Sequence, residues 1–218
     1  MPTPATEQTL RDRVAFLVLL VALAGAVWFA VQPRIAAPEL PAGKSLDVAQ
    51  LELDRPLPDF RLRAADGPMT VDDLKGHWTF VYFGYTNCPD ACPVTLSILD
   101  HVQESLQAQG APRPRILFIS LDPERDTPEV LRRYTSVFGT EIAGATGDEA
   151  QLRGLVRFFG ISYERKETGD KGNYTLDHTT NFFLVTPEVR WLASFAPADD
   201  ADAVSEDTLT LLHLNPPH

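Results

Sequence analysis

Residues 78–93 read WTFVYFGYTNCPDACP, and this stretch decides the fold. Its first half, Trp78–Gly84, is a short run of aromatic and β-branched residues, which is typical of a strand covered on both faces. Cys88 and Cys92 follow, and each precedes a proline, which disfavours helical backbone at the residue before it. The stretch therefore predicts a strand, a loop that carries Cys88, a cap at Cys92 and a helix that begins at Pro93.

Short apolar runs with turn signals at their ends predict further strands on both sides of this stretch. They are Ile116–Leu121, Asn181–Thr186 and Arg190–Phe195, and the last two are joined by Pro187-Glu188-Val189. Leu57–Thr70 breaks at Asp66-Gly67, a dipeptide typical of tight hairpin turns, so that two short strands are expected there.

Helices are predicted between the strands. Pro93–Ala108 ends before Gly110 and carries apolar residues four positions apart, namely Val94, Ile98, Val102 and Leu106. Thr127 is expected to cap a helix that opens with Pro128, and Asp148 to cap one that ends at Gly160.

The segment Pro197–His218 carries five acidic residues ahead of Leu209, Leu211 and Leu212, and no Lys or Arg. It is predicted to form a solvated terminal helix, because acids favour the positive end of a helix dipole, and an acidic tail that binds a partner is the alternative. The alternation of strands and helices predicts an α/β fold with a central, mostly parallel or mixed sheet flanked by helices. Ligands of such folds bind beyond the carboxyl ends of the strands.

The composition excludes several classes of function. The chain has 218 residues, and its 30 Asp and Glu outnumber 19 Lys and Arg, so that the formal net charge is −11. An acidic chain without a basic cluster repels phosphate backbones, and we therefore exclude nucleic acid as a partner. Two cysteines are too few for a disulfide scaffold or for a zinc site made of four thiolates.

Val14–Val31 is an uncharged apolar run of 18 residues, VAFLVLLVALAGAVWFAV. As a helix it would measure about 27 Å, close to the hydrocarbon thickness of a bilayer. Arg11 and Arg13 precede the run and only Arg34 closely follows it, so that residues 1–13 are expected to remain in the cytoplasm. The sequence thus predicts a single-pass anchor in the inner (cytoplasmic) membrane, with the bulk of the chain facing the periplasm.

A cleaved signal peptide is the alternative, with small residues for cleavage at Ala24-Gly25-Ala26 or Ile35-Ala36-Ala37. Residues 32–50 contain three prolines and no periodicity, and they are predicted to form a tether. A single folded domain is expected from residue 51 to residue 218.

The two cysteines lie where the unpaired N–H groups and the dipole of a helix start favour thiolates. A lowered thiol pKa is required both of a nucleophilic cysteine and of a cysteine that ligates a metal. A structural disulfide is the other possibility, and in an exported chain it would persist. It would close a loop of about five residues and contribute about 2 kcal/mol, which is less than a long-range bridge contributes.

A cysteine pair at a strand-to-helix junction resembles the thioredoxin redox site, although the spacing here is Cys-x-x-x-Cys. From Leu57 to Leu212 the sequence is similar to the SCO/SenC family. The resemblance is carried by Tyr82–Thr86 followed by Cys88-Pro-Asp-Ala-Cys92-Pro, by Ser120-Leu-Asp-Pro-Glu-Arg-Asp-Thr-Pro128, and by Tyr174-Thr-Leu-Asp-His178.

This resemblance implies a thioredoxin-like fold that binds one copper ion per chain, as Cu(I) or Cu(II), through Cys88, Cys92 and His178. It implies a role in assembling the CuA centre of cytochrome c oxidase, with the oxidase subunit that carries this centre as partner. A periplasmic copper donor or a thiol reductant would be further partners.

Two thiolates and one imidazole form a soft to borderline donor set, which suits Cu(I) and holds Cu(II) when a fourth donor arrives. Zinc is the rival metal, but a structural zinc site takes four protein ligands and only three are evident. His178 lies 86 residues beyond Cys92, so only folding can bring the imidazole to the sulfurs.

Other polar residues near these motifs receive weaker predictions. Asp122 follows a predicted strand and would hydrogen-bond a ligand, lend an oxygen donor, or merely form a turn. Asp126, with Thr127 and Pro128, is interpreted as a helix start. Asp90 would either oppose thiolate formation or guide an electropositive partner.

The remaining histidines, which are His77, His101, His213 and His218, have no companion at ligand spacing and are assigned no role. Met69 is the only methionine besides Met1, which excludes a copper carrier built from arrays of thioethers.

Three functions remain at this point. The first is a metallochaperone that delivers copper to the CuA centre or prepares that centre. The second is a thiol–disulfide oxidoreductase, with Cys88 and Cys92 as its redox-active pair, that keeps the cysteines of the oxidase subunit reduced. The third, a peroxidase of the peroxiredoxin type, is disfavoured because a resolving cysteine only four residues away is unusual. His178 discriminates between the first two.

Overall fold

The computed structural model describes residues 16–19, 22–23, 46, 49–139, 141–169, 173–196 and 200–216. By its contacts the chain divides into two units, residues 1–35 and 36–218, and the second contains the fold described below. The predicted cytoplasmic segment 1–13, most of the predicted anchor Val14–Val31 and most of the predicted tether 32–50 lie outside the described residues. The six described residues of the anchor, 16–19 and 22–23, are helical. Across the described ranges, no helix is both long enough and apolar enough to cross a membrane.

The described residues form ten strands and, in the second unit, four α-helices. The strands are β1 (Gln50–Pro56), β2 (Arg61–Ala64), β3 (Gly67–Thr70), β4 (Thr79–Gly84), β5 (Arg115–Ser120), β6 (Ile142–Thr146), β7 (Tyr163–Glu167), β8 (Tyr174–His178), β9 (Phe182–Val185) and β10 (Arg190–Phe195). The helices are α1 (Ala91–Ala108), α2 (Pro128–Thr135), α3 (Glu149–Phe159) and α4 (Ala201–Leu214), and a single 3₁₀ turn spans Val71–Leu74.

Eight strands form one mixed sheet in the order β1-β10-β9-β4-β5-β6-β2-β3. Only the pairs β4–β5 and β5–β6 are parallel. Of the two predicted possibilities, a mostly parallel and a mixed sheet, the sheet is therefore mixed. The two parallel pairs are those connected by the crossover helices α1 and α2, whereas β9–β10 and β2–β3 are antiparallel hairpins. Parallel strands need a long crossover and hairpins do not, which limits the parallel part to the centre of the sheet.

β4 confirms the strand predicted at Trp78–Gly84, and all six of its residues are buried. It lies between β5 and β9, with helices over the sheet, so a continuous run of apolar residues suits it. The predicted strands β5, β9 and β10 are also present. The hairpin β2–β3 pairs Ala64 with Gly67, which places its turn at Ala65-Asp66, one residue earlier than predicted.

The helix α1 begins at Ala91, two residues before the predicted start, and it includes Cys92 in its first turn. The prediction that both cysteines lie outside the helix is therefore wrong for Cys92. The first four N–H groups of a helix have no intrahelical partner, so Pro93 removes no hydrogen bond at the third helical position. The backbone N–H of Val94 donates to the carbonyl of Asp90 at 3.5 Å and closes the first turn.

The buried face of α1 also differs from the predicted stripe. Val94 is 51% exposed, whereas Leu96, Leu99, Val102 and Leu106 are fully buried. A helix has 3.6 residues per turn, so a series spaced by four drifts around the axis and its two ends cannot both face the core. The buried residues are spaced by three, three and four, and such a mixture of spacings keeps them on one side.

The predicted caps are confirmed. The Thr127 hydroxyl accepts a hydrogen bond from the Val130 N–H at 3.4 Å, and the Asp148 carboxylate accepts one from the Gln151 N–H at 2.9 Å. Gly160 ends α3 with a φ of 68°, a left-handed conformation that suits glycine. The terminal helix α4 is present, but it buries Val204, Leu211 and other residues against the domain instead of being solvated.

The strands β7 and β8 form a separate antiparallel ribbon that pairs Tyr163 with His178. No pattern in the sequence predicts this ribbon, because β7 reads YERKE and its five residues are exposed or half-buried. A strand of charged residues has neither the apolar alternation nor the apolar run that signals a strand. The ribbon ends at His178 and so determines where that side chain lies.

Candidate metal centre

The loop between β4 and α1 carries Cys88, and its backbone is folded back on itself. The Cys88 N–H donates to the carbonyl of Tyr85 at 3.3 Å, and the Cys92 N–H points at the Cys88 sulfur, with 3.4 Å between N and Sγ. Cys88 is half-buried, Cys92 is fully buried, and both are free thiols. The loop thus presents one sulfur toward solvent with a second sulfur behind it.

Gly84 leaves the space that the Cys92 sulfur fills. A Cβ at Gly84 would lie 2.7 Å from Cys92 Sγ and 2.7 Å from Cε2 of Phe118, which is closer than nonbonded atoms approach. Gly84 is the last residue of β4, so the strand end can touch the sulfur only because this residue has no side chain.

Folding brings His178 to the two cysteines. The donor atoms of Cys88, Cys92 and His178 all lie within 4.8 Å of one another, and Cys92 Sγ is 3.8 Å from His178 Nε2. Metal–sulfur and metal–nitrogen bonds are about 2.3 and 2.0 Å long, so two donors of one ion lie about 3.5 to 4.5 Å apart. The observed spacing therefore fits a single cation between the three atoms with little rearrangement.

The imidazole of His178 has the tautomer that metal binding requires. Its Nδ1 lies 2.8 Å from the carbonyl oxygen of Thr179, and a carbonyl only accepts, so Nδ1 carries the proton and donates it. In the neutral ring the lone pair is then on Nε2, the atom that faces Cys92. The ring of Tyr85 meets the imidazole edge to face, with 6.0 Å between the centroids and 80° between the planes, and limits its rotation.

The two thiols differ in acidity, which corrects the prediction that the helix start favours thiolate at both. The pKa of Cys88 lies far below its usual value, first because the Cys92 side chain hydrogen-bonds to its sulfur and also because the N–H groups of Asp90 and Cys92 do. The pKa of Cys92 is raised, first because it donates to the Cys88 sulfur and then because it is buried. The metal-free centre is therefore a thiolate at Cys88 beside a neutral thiol at Cys92.

Asp122 does not join these donors. Within the described ranges, Cys88, Cys92 and His178 form the only group of three or more metal-ligating side chains found close enough together. The Asp122 carboxylate instead accepts a hydrogen bond from the Tyr174 hydroxyl at 2.6 Å and pairs with Arg125. Burial and this hydrogen bond raise the pKa of Tyr174 to about 12, so its hydroxyl keeps the proton that it donates.

Asp126 has a larger role than that of a helix start. Thr127 and Pro128 begin α2 as predicted, but the carboxylate of Asp126 is fully buried and points the other way. It accepts hydrogen bonds from the Thr86 N–H at 2.9 Å and the Thr86 hydroxyl at 2.6 Å, and one from the Ser120 hydroxyl. Thr86 is two residues from Cys88, so Asp126 holds the loop 85–90 between β4 and α1, which we call the cysteine loop.

Arg125, Tyr174 and Thr86 are three residues of this arrangement whose roles were not predicted from the sequence. One signal was available, because Asp122, Arg125 and Asp126 are three charged residues that directly follow a buried strand. Charged groups that enter a protein interior need partners, so their position predicts buried hydrogen bonds. Which partners they take depends on the tertiary fold.

The other residues that the sequence analysis weighed lie apart from these donors. His101 is exposed on α1 and faces Asp202 of α4 at 3.7 Å, His213 lies on α4, and His77 precedes β4. His218 lies outside the described residues. Asp90 is exposed at the start of α1.

Comparison with known proteins supplies a family. The model of the SCO1/SenC family matches residues 49–213. An SCO2-like protein of Rickettsia felis is 36% identical over 139 residues, which are 63% of this chain and 67% of that protein. The mitochondrial SCO1 homologue 1 of Arabidopsis thaliana is 32% identical over 152 residues, 67% of this chain but 44% of that protein.

Among solved structures, the crystal structure of Arabidopsis thaliana ScoI with copper bound superposes with a TM-score of 0.69. The two sequences are 28% identical, and the match covers 72% of this chain and 98% of the other. The fold is therefore the thioredoxin-like α/β fold of that structure.

Proposed function

The chain belongs to the SCO1/SenC family, and on that premise we propose that it is a metallochaperone that binds one copper ion through Cys88, Cys92 and His178. Copper is the cargo of this proposal and not a resident cofactor. The observation that carries it is the convergence of two sulfurs and an imidazole nitrogen within 4.8 Å.

The chemistry of the donor set supports copper over zinc. Two thiolates satisfy Cu(I), which accepts low coordination numbers and soft ligands, and the imidazole adds the borderline donor that Cu(II) prefers. A structural zinc site takes four protein ligands, and the described residues offer three at this place. The copper-bound relative of the same fold agrees with this preference.

Transfer requires that an acceptor can reach the ion. Cys88 is half-buried and lies on a loop, while Cys92 is closed off behind it. Incoming thiolates can therefore add to a three-coordinate ion from the Cys88 side before any bond to the protein breaks. This arrangement supports release by ligand exchange rather than by free dissociation.

We further infer the setting from the sequence. The apolar run Val14–Val31 would anchor the chain in the inner membrane, and the folded domain would face the periplasm. The acceptor would be the oxidase subunit that carries the CuA site. A periplasmic copper donor would load the site.

A second function has an observation of its own. Cys88 is a thiolate whose sulfur lies against the Cys92 N–H, so the pair can attack a disulfide and then resolve it internally. The chain would then keep the cysteines of the oxidase subunit reduced. The two functions use the same sulfurs and differ in whether His178 is needed.

Metal analysis of the purified chain, combined with thiol titration, tests the first function. We expect one copper per chain after loading, and both thiols protected from a thiol reagent while copper is bound. Copper below about 0.2 per chain, with two freely titrating thiols and rapid exchange with a disulfide substrate, would leave the reductase as the function.

A further inference from the structure

We propose that the loop 121–127, LDPERDT, positions the two halves of the metal centre through two separate arms. We call it the brace loop. One arm, Asp126, sets the cysteine loop, and the other, formed by Asp122 and Arg125, sets the strand that carries His178. The inference rests on the proposed function for the identity of the cargo, but the contacts that support it belong to the protein alone.

The brace loop starts at the edge of the sheet where the cysteine loop starts. β4 and β5 are parallel neighbours that pair Gly84 with Ser120, and the Leu121 N–H donates to the Gly84 carbonyl at 2.8 Å. The brace loop is also closed on itself, because the Asp126 N–H donates to the Asp122 carbonyl at 2.9 Å. It therefore leaves the sheet as a fixed turn beside the cysteine loop.

The first arm is the carboxylate of Asp126. Both of its oxygens accept from Thr86, one from the N–H and one from the hydroxyl, and the Ser120 hydroxyl supplies a third donor. Hydrogen bonds to an ionised acceptor are about twice as strong as neutral ones, and a buried carboxylate with three donors has a single favourable orientation. Thr86, and with it the backbone that leads to Cys88, is thereby fixed relative to β5.

The second arm holds Tyr174. Its hydroxyl donates to Asp122 at 2.6 Å, and its carbonyl accepts from Arg125 Nη1 at 3.0 Å. The guanidinium of Arg125 also lies over the ring, with 3.6 Å between Cζ and the ring centroid. Side chains four residues apart on a strand share a face, so an anchor at Tyr174 determines the position of His178.

The ribbon needs such an anchor. β7 and β8 pair with each other and not with the eight-stranded sheet, and an isolated two-stranded ribbon is at best marginally stable in water. Tyr174 is buried and lies at the opposite end of β8 from His178. The brace loop thus fixes both the imidazole and the sulfurs relative to the same place, the carboxyl end of β5.

Each arm can be weakened by a variant that removes one hydroxyl. Thr86→Val removes one bond to Asp126 and keeps the backbone bond, and Asp126→Asn is a second variant of this arm. Tyr174→Phe removes the bond to Asp122 and keeps the ring under Arg125. Glu124→Gln is the matched control, because Glu124 lies in the same loop and is 72% exposed. Its partner Arg165 lies over the Tyr174 ring, but Arg165 also pairs with Glu167 and so keeps its place in this variant.

Three measurements on the full chain separate the arms. They are the rate of Cys88 alkylation by iodoacetamide without metal, the affinities for Cu(I) and Cu(II) by chelator competition, and the ring signals of His178 in NMR spectra. Tyr174→Phe is expected to lower Cu(II) affinity at least tenfold, to broaden the ring signals, and to leave Cu(I) affinity within about threefold. Its Cys88 alkylation rate should stay within about twofold of wild type.

Thr86→Val is expected to do the reverse. The alkylation rate and the Cu(I) affinity should each change at least about threefold, while the ring signals of His178 remain sharp. Glu124→Gln should match the wild type in all three measurements. The proposal would be overturned if the variants of both arms changed all three measurements together, in proportion to a lowered melting temperature. It would also be overturned if these variants gave the same values as Glu124→Gln in all three measurements.

Failure of the proposed function would look different. A wild-type chain that binds no copper would refute the metallochaperone, but alkylation of Cys88 and the His178 signals would still respond separately to the two arms if the brace operates.

Discussion

His178 Nε2 lies 3.8 Å from Cys92 Sγ although 86 residues separate them in the chain, and the bond from Nδ1–H to the Thr179 carbonyl orients the ring so that Nε2 faces the sulfur. The imidazole is thus aimed at a buried sulfur before any metal is present. Its role is that of a third donor, and its removal leaves the two thiols intact.

Replacing His178 by alanine should therefore separate the two candidate functions. We expect Cu(II) affinity to fall at least about 100-fold, because two thiolates without an imidazole reduce Cu(II) or release it. Disulfide exchange by Cys88 and Cys92 should remain within a few-fold of wild type. His101→Ala is the control, since His101 is exposed and faces only Asp202 among acidic partners. Unchanged Cu(II) affinity in His178→Ala would refute the ligand assignment.

Cys88→Ser should abolish stoichiometric binding of Cu(I). One thiolate and one imidazole form a weak site for this ion, and a serine hydroxyl is too hard a ligand to replace sulfur. Competition with a Cu(I) chelator measures the loss, which we expect to exceed about 1,000-fold. If the variant still holds one Cu(I) per chain, the ion is bound elsewhere.

The lowered pKa of Cys88 predicts an unusual pH profile in the metal-free chain. A thiol with an ordinary pKa loses reactivity about tenfold for each pH unit below about 8.5, because only the thiolate attacks. Cys88 is already ionised at neutral pH, so its alkylation rate should change less than about twofold between pH 6 and 8, and should fall only in acid. Cys92, whose pKa is raised, should stay unreactive over that range. A steep rise in Cys88 alkylation toward pH 8 would contradict the thiolate.

The same asymmetry predicts how many protons copper displaces. Of the two thiols, Cys88 has already lost its proton and Cys92 still holds one. Metal ligation requires the deprotonated forms, so loading near pH 7 should release about one proton per ion. Calorimetry in buffers of different ionisation enthalpy counts the protons, and Cys92→Ser should release almost none. Release of two protons in the His178→Ala variant, which has no imidazole to contribute, would mean that both thiols are neutral before loading.

Gly84→Ala tests the packing behind the centre. The new Cβ would meet Cys92 Sγ and the Phe118 ring at 2.7 Å, and overpacking of this kind costs about 1 to 3 kcal/mol. We expect a lower free energy of unfolding together with weaker copper binding, because the Cys92 sulfur must shift. Gly154→Ala is the matched control. Gly154 lies in α3 with nothing within 4 Å of a new Cβ, so alanine there should stabilise the chain by about 0.5 to 1 kcal/mol.

The sequence predicted those strands and helix caps that depend on only a few neighbouring residues. Trp78–Gly84 was recognisable because an all-apolar run of this length suits a central strand, and Thr127 and Asp148 because caps are local hydrogen bonds. The place of Cys92 was mispredicted by two residues, since the first turn of a helix tolerates a proline that an interior would not.

The contacts that organise the centre were not predictable in this way. Asp126 bonds to Thr86 across 40 residues, and Arg125 reaches Tyr174 across 49. Nothing in the spacing of these residues indicates that they meet. His178 was identified only by resemblance to a family, because a single histidine at the end of a short strand forms no recognisable pattern by itself.

The ribbon that carries His178 is built apart from the sheet that carries the cysteines, and this has a consequence for biosynthesis. Ribosomes add about 5 to 20 residues per second, so the dithiol of a growing chain precedes its imidazole by about 4 to 17 seconds. If such an incomplete chain is exported, it offers two sulfurs and no imidazole, so we expect it to hold only the cuprous ion. Arrest of translation before residue 178 would expose this immature species, and its metal preference would tell whether the oxidised ion must wait for the finished polypeptide.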